Sequence, residues 1–419
     1  MKSIRKYLAL LLAAALLAGA AAGCATALTA QAADLMSGIS PEKVNVRPAD
    51  DAFKSAMADF SVELFKKSVS GQDNSLISPL SVMLALAMAA NGASGETRSQ
   101  MEALLGGGAP LSELNEYLYS YAKNLPSEAK SKLDIANSIW FKDTKSLQVE
   151  PGFLQINADY YDAAAYKAPF DASTERAVND WVKKSTDGMI DKILAPNEIT
   201  DYCLILLNAI TFEAEWQSVY FKENINKDTF TNAAGARSSV DFMNSRESVY
   251  LDDGMATGFI KPYNGGNYSF AALLPNEGVD IGDYIKSLTG AGFLKTLNGA
   301  QDAVVNASMP KFKYDYTITM NDALKALGIP DAFDVEKADF TKMATSADGN
   351  IYIDKVLHKT FISVDELGTK AGAVAMVAMA PGSAPLQIIK NVTLDRPFVF
   401  AIIDNATDLP VFIGAVMAV

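Results

Sequence analysis

The sequence predicts an α+β fold in one large domain, and three observations carry that prediction. Helix-period and strand-period segments follow one another irregularly, without the regular β-α-β order of a parallel sheet. No repeat of about 20 to 50 residues and no interior Pro/Gly/Ser tract divides the chain. A 49% hydrophobic and 20% charged composition is ordinary for a globular protein, and 419 residues supply a sizeable core.

The first residues read as a targeting segment. Lys2, Arg5 and Lys6 form a basic start, and Leu8 to Ala22 form an apolar run ending in small residues. That run is short for a bilayer span and polar chain follows it, which favours a cleaved signal over a permanent helix. Cys24 follows Ala21-Ala22-Gly23, similar to a bacterial lipoprotein processing site, with Ala21 where Leu is usual. Ordinary cleavage after Ala32 is the alternative. The resulting division is a signal peptide over 1–23, a lipid anchor at Cys24 with a tether to residue 50, and a domain over 51–419. The location is then the cell surface through that lipid, or the extracellular space if cleavage is ordinary.

Cys203 is the one other cysteine, so lipidation of Cys24 leaves no intramolecular disulfide. Its setting, Tyr202-Cys-Leu-Ile-Leu-Leu, is that of a buried small hydrophobe. Loss of residues 1–23 leaves 33 basic against 49 acidic residues, a net charge of −16. Nucleic acid is thereby excluded as an electrostatic partner, and membrane contact is limited to the lipid.

Phe53, Met57, Phe60, Leu64 and Phe65 recur at helical spacing between Ala52 and Val69. Ser78 and Pro79 are an N-cap and first position for an apolar helix to about Ala90, and Gly95-Glu-Thr-Arg opens another. Strands are predicted over 133–141, 202–212, 270–275, 304–309, from 312, over 357–364, 398–403 and 410–416. Helices are predicted over 175–185 and 320–327.

The chemistry of most enzymes is excluded. His358 is the single histidine, and no GxSxG elbow pairs with it. One histidine and one free cysteine make a poor zinc site, and neither GxxxxGK[ST] nor GxGxxG occurs. No metal, no cofactor and no catalytic residue is therefore assigned. His358, in the alternating Val356-Leu-His-Lys-Thr-Phe-Ile, reads as a hydrogen-bonded core residue.

Residues 364–385 stand apart: Val-Asp-Glu-Leu-Gly-Thr-Lys-Ala-Gly-Ala-Val-Ala-Met-Val-Ala-Met-Ala-Pro-Gly-Ser-Ala-Pro carries no charge after Lys370. With a period of two, Thr369, Ala371, Ala373 and Ala375 share one face, and Lys370, Gly372, Val374 and Met376 the other. Such a segment can enter between two strands with little steric or charge conflict.

Six elements in order resemble the serpin family across residues 50–419. They are Asn74-Ser-Leu-Ile-Ser-Pro-Leu-Ser; Asn208-Ala-Ile-Thr-Phe-Glu-Ala-Glu-Trp216; Met309-Pro-Lys-Phe followed by Leu327-Gly-Ile-Pro-Asp-Ala-Phe; Val356 through Ala371; Asp395-Arg-Pro-Phe-Val-Phe-Ala-Ile; and Leu409-Pro-Val-Phe-Ile-Gly. The resemblance implies a large mixed central sheet, further sheets, about eight or nine helices and an exposed reactive loop. It also implies a suicide substrate. A serine protease attacks the loop, and the freed segment inserts into the sheet before the acyl-enzyme is hydrolysed, leaving a covalent complex.

By the same resemblance Glu366, Gly368, Thr369, Ala371, Gly372, Ala373 and Val374 form the hinge, with Val374 where the family prefers a smaller residue. Lys311, Glu366 and Trp216 lie where the segment enters, and Ser78, Ser81, Asn208 and His358 form a polar shutter beneath the sheet. The reactive bond falls at Gly382–Ser383, with Met379–Ala380 and the disfavoured Ala384–Pro385 as alternatives. Small and apolar residues there indicate an elastase-like or subtilisin-like target, met by a monomer. The other readings are a non-inhibitory binding protein of the same fold and a cross-class inhibitor of cysteine proteases.

Overall fold

A computed structural model describes residues 32–199, 202–369 and 388–419. Among these residues nine α-helices surround two large sheets, one of seven strands and one of nine. This is the α+β architecture that the sequence predicts.

The seven-stranded sheet contains β1 (Ala33–Asp34), β2 (Ser131–Lys142), β3 (Ala164–Ala168), β4 (Leu204–Glu215), β5 (Phe312–Thr319), β6 (Lys355–Val364) and β7 (Gly368–Thr369). Their spatial order is β1-β3-β2-β4-β7-β6-β5. The sheet is mixed: β2 with β3 and β4 with β6 run parallel, and the other pairs are antiparallel.

Both faces of β4 are covered, which explains its nearly unbroken apolar sequence. Ile205, Leu207 and Ala209 pack with Val178 and Val182 of the helix Ala172–Ser185. Leu206, Ile210, Phe212 and Ala214 face the main core.

Beneath that inner face lie α1 (Asp51–Ser68) and α2 (Pro79–Ala90). The Asp50 carboxylate caps α1 by accepting from Phe53 N at 2.9 Å, and Phe53, Met57, Phe60, Leu64 and Phe65 are buried. All twelve residues of α2 are buried, as an all-round apolar helix must be. Ser78 is its N-cap and Pro79 its first residue.

The nine-stranded sheet runs Ile389–Thr393, Gln301–Pro310, Arg237–Asp252, Ala256–Pro262, Tyr268–Pro275, Phe398–Asp404, Leu409–Val416 and Ser75–Ile77, with Ile225–Thr231 on the side of Arg237–Asp252. The stretch from 225 to 262, to which the sequence analysis assigns no strand, forms three of these. Many of its positions are polar and half-exposed, so the apolar alternation is weak there.

Residues 32–50, read from composition as the outer part of a tether, lie against the domain. Ala33 and Asp34 add a strand to the β3 edge, and Leu35, Met36 and Ile39 pack on the core. Further along, Arg47 pairs with Glu113 at 3.3 Å and lies over the Tyr117 ring. An Ala- and Ser-rich composition conceals three well-placed apolar side chains and the hydrogen-bonding capacity of an open sheet edge. The expected signal segment over 1–23 and Cys24 lie outside the described residues.

Candidate functional site

The site is the seam between β4 and β6, the two middle strands of the seven-stranded sheet. They pair directly only at one end, Ile205 to Ala209 against Lys355 to Lys359. Toward the other end they diverge, and β7 occupies the gap, with Thr369 between Ala214 of β4 and Val364 of β6. The sheet is thus split like a wishbone, with the start of residues 368–387 lodged in the open end.

A tight turn places β7 there. The Asp365 carboxylate accepts from Leu367 N at 2.9 Å and Gly368 N at 3.3 Å. Gly368 then runs so close to β4 that a Cβ would stand 2.0 Å from the Ala214 carbonyl oxygen, so no larger residue fits without displacement. Thr369 is buried, its hydroxyl 2.6 Å from the Tyr263 hydroxyl.

Trp216 braces the turn from the other side. Its indole N–H donates to Asp365 O at 2.9 Å and its backbone N–H to Leu367 O at 2.8 Å. Its ring stacks on Tyr263 at 4.5 Å. Lys311 Nζ lies 2.6 Å from Glu366 Oε2, and this ammonium holds the Glu366 carboxyl below its ordinary range. Behind Trp216 the buried Lys261 and Glu247 pair at 2.9 Å, with the ammonium 4.3 Å from the Tyr220 ring centroid. Burial pushes the Lys261 ammonium down, and Glu247 opposes that shift.

A polar cluster lies under the closed part of the seam. Ser78 N donates to His358 Nε2 at 3.0 Å. A backbone N–H can only donate, so Nε2 accepts and the imidazole proton resides on Nδ1, which donates to Asn208 Oδ1 at 2.8 Å. This bond crosses from β6 to β4. Asn208 Nδ2 in turn donates to Ser81 O at 2.6 Å and to Asn137 Oδ1 at 2.5 Å. Ser81 takes part through its backbone, while Ser78 Oγ caps α2 by accepting from Ser81 N. His358 is buried, and burial pushes its pKa down to about 3, so the ring is neutral.

The structure therefore brings Trp216, Lys311, Glu366, Gly368 and Thr369 together at the open end, and Ser78, Ser81, Asn208 and His358 at the closed end. Ala371, Gly372, Ala373, Val374, Met379, Ala380, Gly382 and Ser383 lie outside the described residues. Sequence reading missed Tyr263, Asn137 and the Lys261–Glu247 pair. Each is unremarkable in its local sequence, and a lone charge, Lys261, in the largely apolar stretch Ala256–Pro262 was the one signal available.

The model of the family described as serpin (serine protease inhibitor) matches residues 55–419. The chain is 30% identical over 371 residues to "Iris" of Ixodes ricinus, covering 85% of this chain and 97% of that protein. The native-state crystal structure of the thermophilic serpin tengpin is 52% identical, covers 93% of this chain and 100% of its own, and superposes with a TM-score of 0.89. The latent-state structure of tengpin, also 52% identical, covers 89% of this chain and 100% of its own at a TM-score of 0.79. The wishbone sheet with Gly368 and Thr369 lodged in its open end is thus the arrangement of a known fold, and the chain belongs to the serpin family.

Proposed function

We propose that this protein inhibits serine proteases as a suicide substrate, trapping the acyl-enzyme when residues from 370 onward insert between β4 and β6. The observation that carries this reading is the position of Thr369, already paired with Ala214 and Val364 at the head of a gap. The greater similarity to a native than to a latent serpin fits a sheet not yet filled.

Continuing the register of β7 sets Lys370 opposite Glu213 and Met379 opposite Leu204. An inserted strand gains ladder bonds on both edges and costs the five direct pairs of β4 with β6. At about 1 kcal/mol net per bond the gain is on the order of 10 kcal/mol, comparable with the stability of a whole domain. Cleavage at Gly382–Ser383 frees enough chain to complete the strand, and Met379–Ala380 frees just enough.

Val374 does not obstruct this. In the same register it falls opposite Ala209, on the face beneath the helix Ala172–Ser185, where the small Ala209 leaves room for a β-branched side chain. No Lys or Arg stands between Lys370 and Lys390, which favours elastase-like or subtilisin-like targets. The protein acts as a monomer held at the cell surface by lipid at Cys24, and its complex with the protease is covalent.

Mixing the domain with elastase-type, subtilisin-type and trypsin-type proteases tests the proposal. A protease-dependent band at the summed mass in denaturing electrophoresis is expected with the first two. Cleavage of the loop by every protease without such a band refutes inhibition and leaves a binding protein of the same fold. A stable band with cysteine proteases alone moves the target to that class.

A further inference from the structure

The foot of the seam carries a second, carboxylate device that the shutter does not include. Asp354 immediately precedes β6. A single oxygen of its side chain, Oδ2, accepts from Cys203 N at 2.5 Å and from Leu204 N at 2.9 Å, the amide just before β4 and the first amide of the strand. Asp354 N returns a bond to Leu204 O at 3.1 Å. The carboxylate thus reaches across the seam from one middle strand to the other. An anionic acceptor shared by two backbone donors makes stronger bonds than the neutral ladder above it.

Its own strand is held fixed. Asn321 Nδ2 donates to Asp354 O at 2.6 Å and Asn321 Oδ1 accepts from Val356 N at 2.9 Å. Next in the chain, Lys355 pairs with Glu198, whose N–H donates to Glu175 Oε1 at 3.1 Å on the helix over the sheet. Asp354 is therefore anchored to the body on the β6 side and grips β4 with its carboxylate.

We infer that Asp354 is a latch that governs the last stage of sheet opening. This rests on the insertion reading above. One inserted strand moves β4 and β6 apart by about 4.8 Å, and bonds of 2.5 and 2.9 Å cannot survive that separation. Position matters as much as strength. The latch stands opposite the last residues of a full-length insert, so partial entry at the Thr369 end leaves it closed, and only completion breaks it. Asp354 is a positioning residue: it touches neither protease nor reactive bond.

The test uses the intact protein and a synthetic peptide of residues 370–379, offered without any protease to the part of the seam that follows Thr369. Asp354→Ala removes the acceptor of both side-chain bonds across the seam and is expected to speed annealing about tenfold, a change of about 1.4 kcal/mol in the barrier. Asp354→Asn keeps one oxygen for both amides without the charge, and its rate should fall between the two; it also carries the test if the alanine variant does not fold. Asp50→Ala, which removes the α1 cap and the acceptor of the Tyr117 hydroxyl but none of the bonds across the seam, serves as a comparison for general destabilisation and should anneal at the wild-type rate. Unchanged annealing in both Asp354 variants, or equal acceleration by Asp50→Ala, overturns the latch alone. Failure of the wild-type protein to take up the peptide at any temperature below unfolding overturns the insertion reading and the latch with it.

Discussion

His358 makes the stability of this protein depend on pH in a window that no other side-chain type shares. The folded pKa is about 3 against an ordinary 6.5, and burial is the cause. The unfolded chain therefore binds a proton more readily than the folded one. Stability from the neutral ring is complete above pH 6.5 and is lost as pH falls toward 3. Each pH unit costs about 1.4 kcal/mol once the unfolded imidazole is protonated, so passage from pH 7.5 to pH 5 removes about 2 kcal/mol. Ordinary carboxylates titrate mostly below that window, and His358 is the only histidine. Protonation also turns the acceptor Nε2 into a donor facing the Ser78 N–H, which cannot accept. The assay is urea unfolding across the pH series, compared with His358→Gln, which hydrogen-bonds but does not titrate. The wild-type curve should fall by about 2 kcal/mol over the window while the variant stays nearly level. Parallel curves would refute the assignment of the loss to this ring.

Other perturbations address the open end of the seam. Thr369→Arg places a charge where the Thr369 hydroxyl meets Tyr263, and it should convert the protein from inhibitor to substrate: loop cleavage persists and the denaturant-resistant complex disappears. Gly368→Ala sets a methyl against the Ala214 carbonyl and should expel β7, read as a shift in Trp216 fluorescence with Trp140 and Trp181 replaced by Phe. Lys261→Met strands the Glu247 carboxylate and should cost about 3 to 5 kcal/mol in unfolding free energy, most of it recovered in the double variant with Glu247→Met.

Much of the fold was legible locally. The α1 and α2 helices follow from apolar spacing and from Ser78-Pro79, and they occur within a residue or two of the predicted limits. The β4 strand follows from an apolar run that only a doubly covered strand needs. The strands between 225 and 262 were not legible, because their buried residues, such as Phe230, Phe242 and Phe259, stand among polar ones without regular alternation, and pairing with neighbouring strands completes them. The N-terminal strand β1 escaped for a related reason: two residues gain their conformation from the edge they join.

The candidate site divides in the same way. Glu366, Gly368, Thr369, Asn208 and His358 could be named from ordered motifs. Tyr263, Asn137 and Asp354 could not, since each owes its place to a partner 106, 71 or 151 residues away. By itself the sequence determined the family, helices such as α1 and α2 and the small, uncharged composition of the segment after Lys370, because these are matters of periodicity, side-chain size and charge along a short stretch. The tertiary structure alone decided that β4 and β6 part at one end and close at the other, and which side chains hold each end. Those are contacts between distant residues, set by sheet register and by what each strand buries.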